Sequence, residues 1–317
     1  MKKIFILTIL FLLIFSDTSF AGWKYENNTW YYPEKIGWIH EYGYDYYIYP
    51  DHSLNISPVI EDGQIYYFNT NDNNIPYGAL IEKYQVQKTE KQFNNISYLE
   101  IKKAYTNPTK VCILLHALGC DKEDLAGYGC ELAYKGYLVL IPDLYAHGND
   151  LNSGSFPEII VNSSSYIDSL LSLYSFDEVN IIGCSMGGMI GSYYTCNGSY
   201  KIKNLCMLIS TPVFSSLQDD IFFYSYQNGN VFSVNDRTLI SEQLDEISPE
   251  HNLERLEQTN ILLLNTTSDE YIPYKAIEEL EKILDETFIK LNQTGHVVYP
   301  EDFLTAISFI ENKNNTY

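Results

Sequence analysis

Positive charge is scarce in this chain. Its 317 residues carry 20 Lys and Arg against 41 Asp and Glu, a formal net charge of −21. A field of that sign repels polyanions, which argues against nucleic acid and anionic membrane surfaces as partners. Cofactor signatures are missing as well: no glycine-rich phosphate loop and no dinucleotide fingerprint occurs. The six cysteines (Cys112, Cys120, Cys130, Cys184, Cys196 and Cys206) include no pair with metal-ligand spacing and a matching His/Cys pair. Neither a cofactor nor a metal is therefore expected. The extended apolar run Ile4 to Phe15 is too short to span a bilayer comfortably.

That run belongs to a leader. Lys2 and Lys3 precede it and Ser19-Phe20-Ala21 follows, the charged, apolar, small-residue order of a secretory signal peptide over residues 1–21. Cleavage after Ala21 removes two lysines and one aspartate and leaves about −22. Export places the chain in the periplasm, at the cell surface or outside the cell, with no membrane contact after cleavage. It also permits disulfides. Four cysteines sit inside apolar runs, where a free thiol behaves as a small hydrophobe. Cys120 and Cys130, in a loop and the helix after it, are the pair expected to bridge.

Residues 22–75 are rich in aromatics and hold all three tryptophans, Trp23, Trp30 and Trp38. "GWKYENNTWYYPEKI" (22–36) and "GWIHEYGYDYYIYPD" (37–51) form a faint tandem repeat, echoed by "DGQIYYFNT" (62–70). Aromatic pairs flanking Asn, Gly or Asp turns read as short β-hairpins. The pattern resembles the Gly-Trp…Trp-Tyr-Tyr repeats of bacterial surface-attachment modules such as choline-binding repeats. That resemblance implies a cell-surface ligand held by cation–π contact. The alternative is an aromatic hairpin segment that serves packing alone.

Residues 76–317 alternate strands and helices, and hydrophobic residues at 45% of the chain suffice for a packed core. An antiparallel pair is expected at 84–92 and 96–105. Apolar strands are expected at 110–116, 137–143, 178–184, 203–210, 259–265 and 287–292. Helical patterns fall at 121–136, 157–174, 273–286 and 299–311. Strand runs apolar on both faces specify a mostly parallel sheet covered by helices, an α/β fold. In such sheets function collects at the carboxyl ends of the strands. The strands here end in "HALG" (116–119), "DLYAHG" (143–148), "GCSMG" (183–187), "SDEYIP" (268–273) and "GH" (295–296). A serine, an acid and a histidine arrive in that chain order, each just after a strand.

Gly-x-Ser-x-Gly on a strand-to-helix turn is a nucleophile elbow: the tight turn lifts the hydroxyl above the sheet beside a helix N-terminus. A serine hydroxyl needs a base within hydrogen-bond reach. His296 is the candidate base, and Asp269 the group that fixes its tautomer. Cys184 should point into the sheet packing, opposite to Ser185.

With these motifs, the sequence from about Tyr84 to the C-terminus resembles the α/β-hydrolase fold of serine esterases and lipases. The resemblance implies a triad of Ser185, Asp269 and His296, and an oxyanion hole from the backbone N–H groups of Leu118 and Met186. It makes His116, Asp143 and His147 loop-bracing residues. The family usually has His-Gly where this chain has His116-Ala117, and alanine does not enter positive φ as readily as glycine. Residues 211–257 would form a short cap, with Phe214, Ile221, Phe222, Phe223, Tyr224 and Tyr226 facing an apolar acyl or aromatic group or packing the cap onto the body. The expected activity is that of an exported carboxylesterase acting on small to medium acyl esters. The alternatives are a thioesterase or serine peptidase on the same fold, or an inactive surface-binding protein.

Overall fold

The computed structural model describes residues 23–26, 29–41, 43–61, 64–70, 76–252, 254–273, 288–291 and 295–311. The leader, and all of the expected 273–286 helix except Pro273, lie outside these. The chain divides into two units, Met1–Tyr84 and Gln85–Tyr317. No helix among the described residues is long and apolar enough to cross a membrane.

The first unit contains three antiparallel hairpins: β1 (Lys24–Glu26) with β2 (Thr29–Tyr31), β3 (Gly37–Glu41) with β4 (Tyr44–Ile48), and β5 (Val59–Glu61) with β6 (Gln64–Phe68). Their aromatics pack largely on each other. Trp23 sets its edge against Tyr32 and Tyr46 at 5.1 and 5.2 Å, over a small core that includes Ile39, Ile48 and Leu54. Trp38 meets its cross-strand partner Tyr47 at 5.2 Å and Tyr66 at 4.6 Å. Edge-to-face pairs of this kind add to the area they bury.

The second unit is built on a parallel sheet. Its strands are β7 (Leu80–Phe93, in which the division between units falls), β8 (Ile96–Lys103), β9 (Lys110–Leu115), β10 (Leu138–Pro142), β12 (Glu178–Cys184), β13 (Asn204–Leu208), β16 (Asn260–Asn265) and β17 (Phe288–Leu291). Their order is β17-β16-β13-β12-β9-β10-β8-β7. β9, β10, β12, β13, β16 and β17 run parallel, while β8 pairs antiparallel with both β10 and β7. The central strands read as unbroken apolar runs because both faces are covered: Ile113, Leu114, Ile181, Ile182, Leu205, Cys206, Leu262 and Leu263 are all fully buried. The asparagines at the strands' amino ends satisfy one another. Asn260 donates to Asn204 at 2.9 Å, Asn204 to Asn180 at 2.6 Å, and Asn180 to the Val111 carbonyl at 3.1 Å.

Helices α1 (Ala126–Tyr134) and α5 (Pro300–Glu311) meet through stacked Tyr128 and Phe303, centroids 3.9 Å apart. Helices α2 (Phe156–Leu171) and α3 (Met186–Asn197) are tied by the Tyr194 hydroxyl, which donates to Asp168 at 2.7 Å. Pro157 lies in the first turn of α2. There the Glu158 carboxylate accepts from the N–H and hydroxyl of Ser155 at 2.7 and 2.9 Å.

The cap region carries α4 (Arg237–Glu246) and a hairpin that the sequence reading did not anticipate. β14 (Tyr224–Gln227) pairs with β15 (Asn230–Val234), and β11 (Ser153–Ser155) joins them in a three-stranded antiparallel sheet. The expected Cys120–Cys130 bridge is corrected: none of the six cysteines is bridged. Cys130 lies on the fully buried face of α1 while Cys120 is in a half-exposed loop, so adjacency along the chain does not bring the thiols into one environment.

Candidate active site

All parallel strands deliver their carboxyl ends to one edge of the sheet, and β12 ends there in Ser185. The backbone of Ser185 adopts φ +50° and ψ −115°, a region that residues with a Cβ rarely occupy. It is held on both sides. Its N–H donates to the Leu208 carbonyl at 2.8 Å, and its carbonyl accepts from the Gly188 N–H at 2.9 Å and the Ser210 hydroxyl at 2.8 Å. The two glycines of the motif are required by contact. A Cβ on Gly183 would lie 2.3 Å from the Gly187 carbonyl oxygen, and one on Gly187 would lie 2.2 Å from that of Leu115. The turn therefore closes only where both side chains are absent. Cys184, just before the serine, is buried, and burial pushes its thiol up to about 12.

The three residues singled out from sequence come together. The Ser185 Oγ lies 2.8 Å from His296 Nε2. His296 Nδ1 lies 2.7 and 2.9 Å from the two Asp269 carboxylate oxygens. Asp269 Oδ1 also accepts the backbone N–H groups of Tyr271 and Ile272, both at 2.9 Å. The Asp269 side chain has no exposed surface, whereas that of His296 keeps 14%. Burial alone would raise the Asp269 carboxyl. The His296 imidazole and the two N–H donors outweigh it and hold the group below its ordinary value. An ionised Asp269 fixes the proton on His296 Nδ1 and leaves Nε2 free to accept from the serine hydroxyl.

Leu118 and Met186 border the same apolar cavity of about 190 Å³ as Ser185 and His296, together with Ala117, Phe156, Ile221, Phe222 and Tyr271. Met186 opens α3, where the first N–H groups have no intrahelical partner. The loop carrying Leu118 is braced by His116. That ring is fully buried; its Nδ1 is 2.8 Å from the Ala117 carbonyl, and its Nε2 accepts the Leu144 N–H at 3.1 Å. Ala117 is not among the residues at positive φ; Gly119 takes that conformation, at +77°. The departure from His-Gly thus falls where an alanine is unstrained.

Asp143 holds the neighbouring loop. It accepts from the Lys122 ammonium at 2.7 Å, the Lys122 N–H at 3.1 Å and the Asn149 N–H at 2.9 Å. His147 is fully buried, with Nδ1 2.9 Å from the Tyr145 carbonyl. Of the cap aromatics, Phe222 lines the cavity beside Ile221, while Phe214, Phe223 and Tyr226 are buried in the core. Two wall residues escaped the sequence reading: Phe156, set by the start of α2, and Tyr271, whose ring edge meets the His296 ring at 5.0 Å. His251 lies beside Asp245 and Glu250, the three ligand atoms within 4.8 Å of one another. It pairs with Asp245 at 3.1 Å, and Glu250 accepts from the Ser248 hydroxyl at 3.0 Å.

A family model described as the alpha/beta hydrolase fold matches residues 112–240. No curated protein matches the chain by sequence. Among solved structures, TT1662 from Thermus thermophilus superposes with a TM-score of 0.54 at 17% identity, over 72% of this chain and 97% of that one. Est1E from Butyrivibrio proteoclasticus, with ferulic acid bound, superposes at 0.54 and 16%, over 69% and 96%. The thioesterase domain from the curacin biosynthetic pathway does so at 0.52 and 14%, over 72% and 99%. The chain carries the α/β-hydrolase fold.

Proposed function

We propose that this chain is an exported serine hydrolase that cleaves neutral carboxylic esters with a small to medium acyl group. The observation that carries the reading is the continuous hydrogen-bonded chain Ser185–His296–Asp269, set on a strained turn at the mouth of an apolar cavity. In the first step His296 Nε2 takes the hydroxyl proton as Ser185 Oγ bonds to the ester carbonyl carbon. The carbonyl oxygen becomes an oxyanion facing the N–H groups of Leu118 and Met186. Collapse breaks the bond to the alcohol oxygen, which leaves with the proton from His296, and the acyl group stays on Ser185. Water then repeats the sequence. His296 accepts its proton, the oxygen attacks the acyl carbon, and the acid departs as Ser185 regains its proton.

Charge and cavity size support the choice of substrate. None of the described residues lining the cavity is a lysine or arginine, and the chain as a whole is strongly acidic. A polyanionic thioester such as an acyl-coenzyme A would meet no compensating cation there. The thioesterase of the curacin pathway shares the fold, but this lining favours an uncharged ester. A cavity of about 150 Å³ accommodates benzene, so about 190 Å³ suits a ring or a short acyl chain. Export through residues 1–21, and a surface ligand for residues 22–75, belong to the same proposal.

Hydrolysis of p-nitrophenyl acetate, butyrate and palmitate by the mature chain, beside Ser185→Ala, tests the reading. Butyrate should be turned over faster than palmitate, and the substitution should lower kcat by at least about 10⁴-fold. A preference for palmitate would refute the substrate size. Absence of both turnover and labelling by a fluorophosphonate would instead favour an inactive binding protein.

A further inference from the structure

Three consecutive residues after β16 address one dipeptide. The Ser268 hydroxyl oxygen accepts the N–H of Gly295 at 3.2 Å. The Asp269 carboxylate takes the ring Nδ1 of His296 at 2.7 Å. The Glu270 carboxylate accepts the backbone N–H of His296 at 3.1 Å. Gly295 stands at φ +76°, so the chain turns sharply just before the histidine. Glu270 neighbours Asp269 in the chain and carries the same carboxylate. In the structure its bond to His296 is made at the backbone instead, and the two adjacent carboxylates divide the work. Asp269 orients the imidazole, while Glu270 fixes the main chain from which it projects.

We propose that Glu270 is a positioning residue: it clamps the backbone of His296 so that Nε2 stays at bonding distance from Ser185. The inference rests on the serine-hydrolase reading of the site. A histidine held through its ring alone can swing about its own backbone, carrying Nε2 away from Oγ. A second bond, at the main-chain N–H, removes that freedom. Charge-assisted bonds from N–H to carboxylate are among the stronger ones available for this purpose. Proton transfer from serine to histidine tolerates little misplacement, and an error of about 1 Å costs on the order of 10²-fold in rate. Glu270 itself is exposed, so its replacement leaves the core untouched.

The test compares Glu270→Ala, Glu270→Gln and Glu270→Asp in the mature chain. Hydrolysis of p-nitrophenyl butyrate is measured together with hydrogen exchange of the His296 amide by NMR. Gln keeps a carbonyl oxygen at the same reach, Asp keeps the charge but falls short, and Ala keeps neither. The Ala and Asp variants should lose roughly 10- to 100-fold in kcat with KM little changed, and their His296 amide should exchange roughly 10-fold faster or more. The Gln variant should stay within about threefold of wild type by both measures. Wild-type kcat and exchange in Glu270→Ala would overturn the clamp. So would a Gln variant as damaged as Ala, which would make the charge, not the bond, the contribution of Glu270. A rise confined to KM would make it a substrate contact. If the wild type itself hydrolyses nothing and takes no fluorophosphonate, the hydrolase reading fails, and the amide exchange alone decides whether the clamp exists.

Discussion

Replacing Ser185 by glycine should give a more stable protein than replacing it by alanine. Both substitutions delete the hydroxyl, so the 2.8 Å bond to His296 is lost equally and cancels from the comparison. What remains is the backbone, held at φ +50°, ψ −115° by bonds to Leu208, Gly188 and Ser210. A residue with a Cβ in such a conformation is strained by about 1–3 kcal/mol. Glycine escapes that strain but gives up about 0.4–1 kcal/mol through the greater freedom of its unfolded chain. The balance favours Ser185→Gly over Ser185→Ala by about 1.3 kcal/mol at the centre of the two ranges, which together span about 0–2.6 kcal/mol. For a domain of 150–250 residues the central value corresponds to a Tm higher by roughly 3–5 °C. Thermal melts of the two variants by circular dichroism, with urea titrations to check that m is unchanged, measure the difference. Neither variant should hydrolyse an ester. An alanine variant as stable as the glycine variant, or more so, would refute the claim that the elbow stores strain.

Two further outcomes follow from buried charge. Burial pushes the His116 imidazole from its ordinary 6.5 down to about 4. The native protein therefore binds fewer protons than the unfolded chain between those values. The stability contributed by neutral His116 is complete above pH 6.5 and is lost as pH falls toward 4, by roughly 3 kcal/mol. Urea titrations at neutral and acid pH should show a shallower decline for His116→Gln than for wild type, and parallel declines would refute this. At Asp143, substitution by alanine strands the Lys122 ammonium, whose side chain is 5% exposed, with Glu90 at 3.2 Å as its remaining carboxylate among the described residues. The expected loss is about 3–5 kcal/mol. The double variant Lys122→Met/Asp143→Leu should recover only part of it by urea midpoint, because the Lys122 and Asn149 N–H groups lose their acceptor in both variants, and a double variant no better than the single one would count against an uncompensated charge as the cause.

The scaffold was legible because its signals are local and redundant. "KVCILLH", "EVNIIGC" and "TNILLLN" are apolar on both faces, as a covered parallel strand requires, and they became β9, β12 and β16 to within one residue. Ser185, Asp269 and His296 stood out because each closely follows such a strand, so predicting the strand placed the side chain at the same edge. The hairpin of β14 and β15 gave no comparable signal. Every residue of β15 is exposed, so no alternation marks it, and the strand that completes its sheet, Ser153–Ser155, lies far back in the chain. The clamp by Ser268 and Glu270 was hidden for another reason: its partners are main-chain N–H groups, which every non-proline residue carries.

The same contrast separates chemistry from selectivity in this molecule. Ser185, His296 and Asp269 depend on strand ends, whose positions relative to one another are dictated by the sheet. The cavity walls come from segments with no such common frame: Phe156 from the start of α2, Ile221 and Phe222 from the cap, and Tyr271 from the loop after β16. Phe156 and Phe222 meet edge to face at 5.1 Å, so the width of the cavity depends on how the cap sits against α2. A change at one of these walls alters the space offered to the substrate and leaves the Ser185–His296 distance to the sheet. The space in the cavity can therefore drift through substitutions at Phe156, Ile221 and Phe222, while Gly183 and Gly187 admit none without moving backbone.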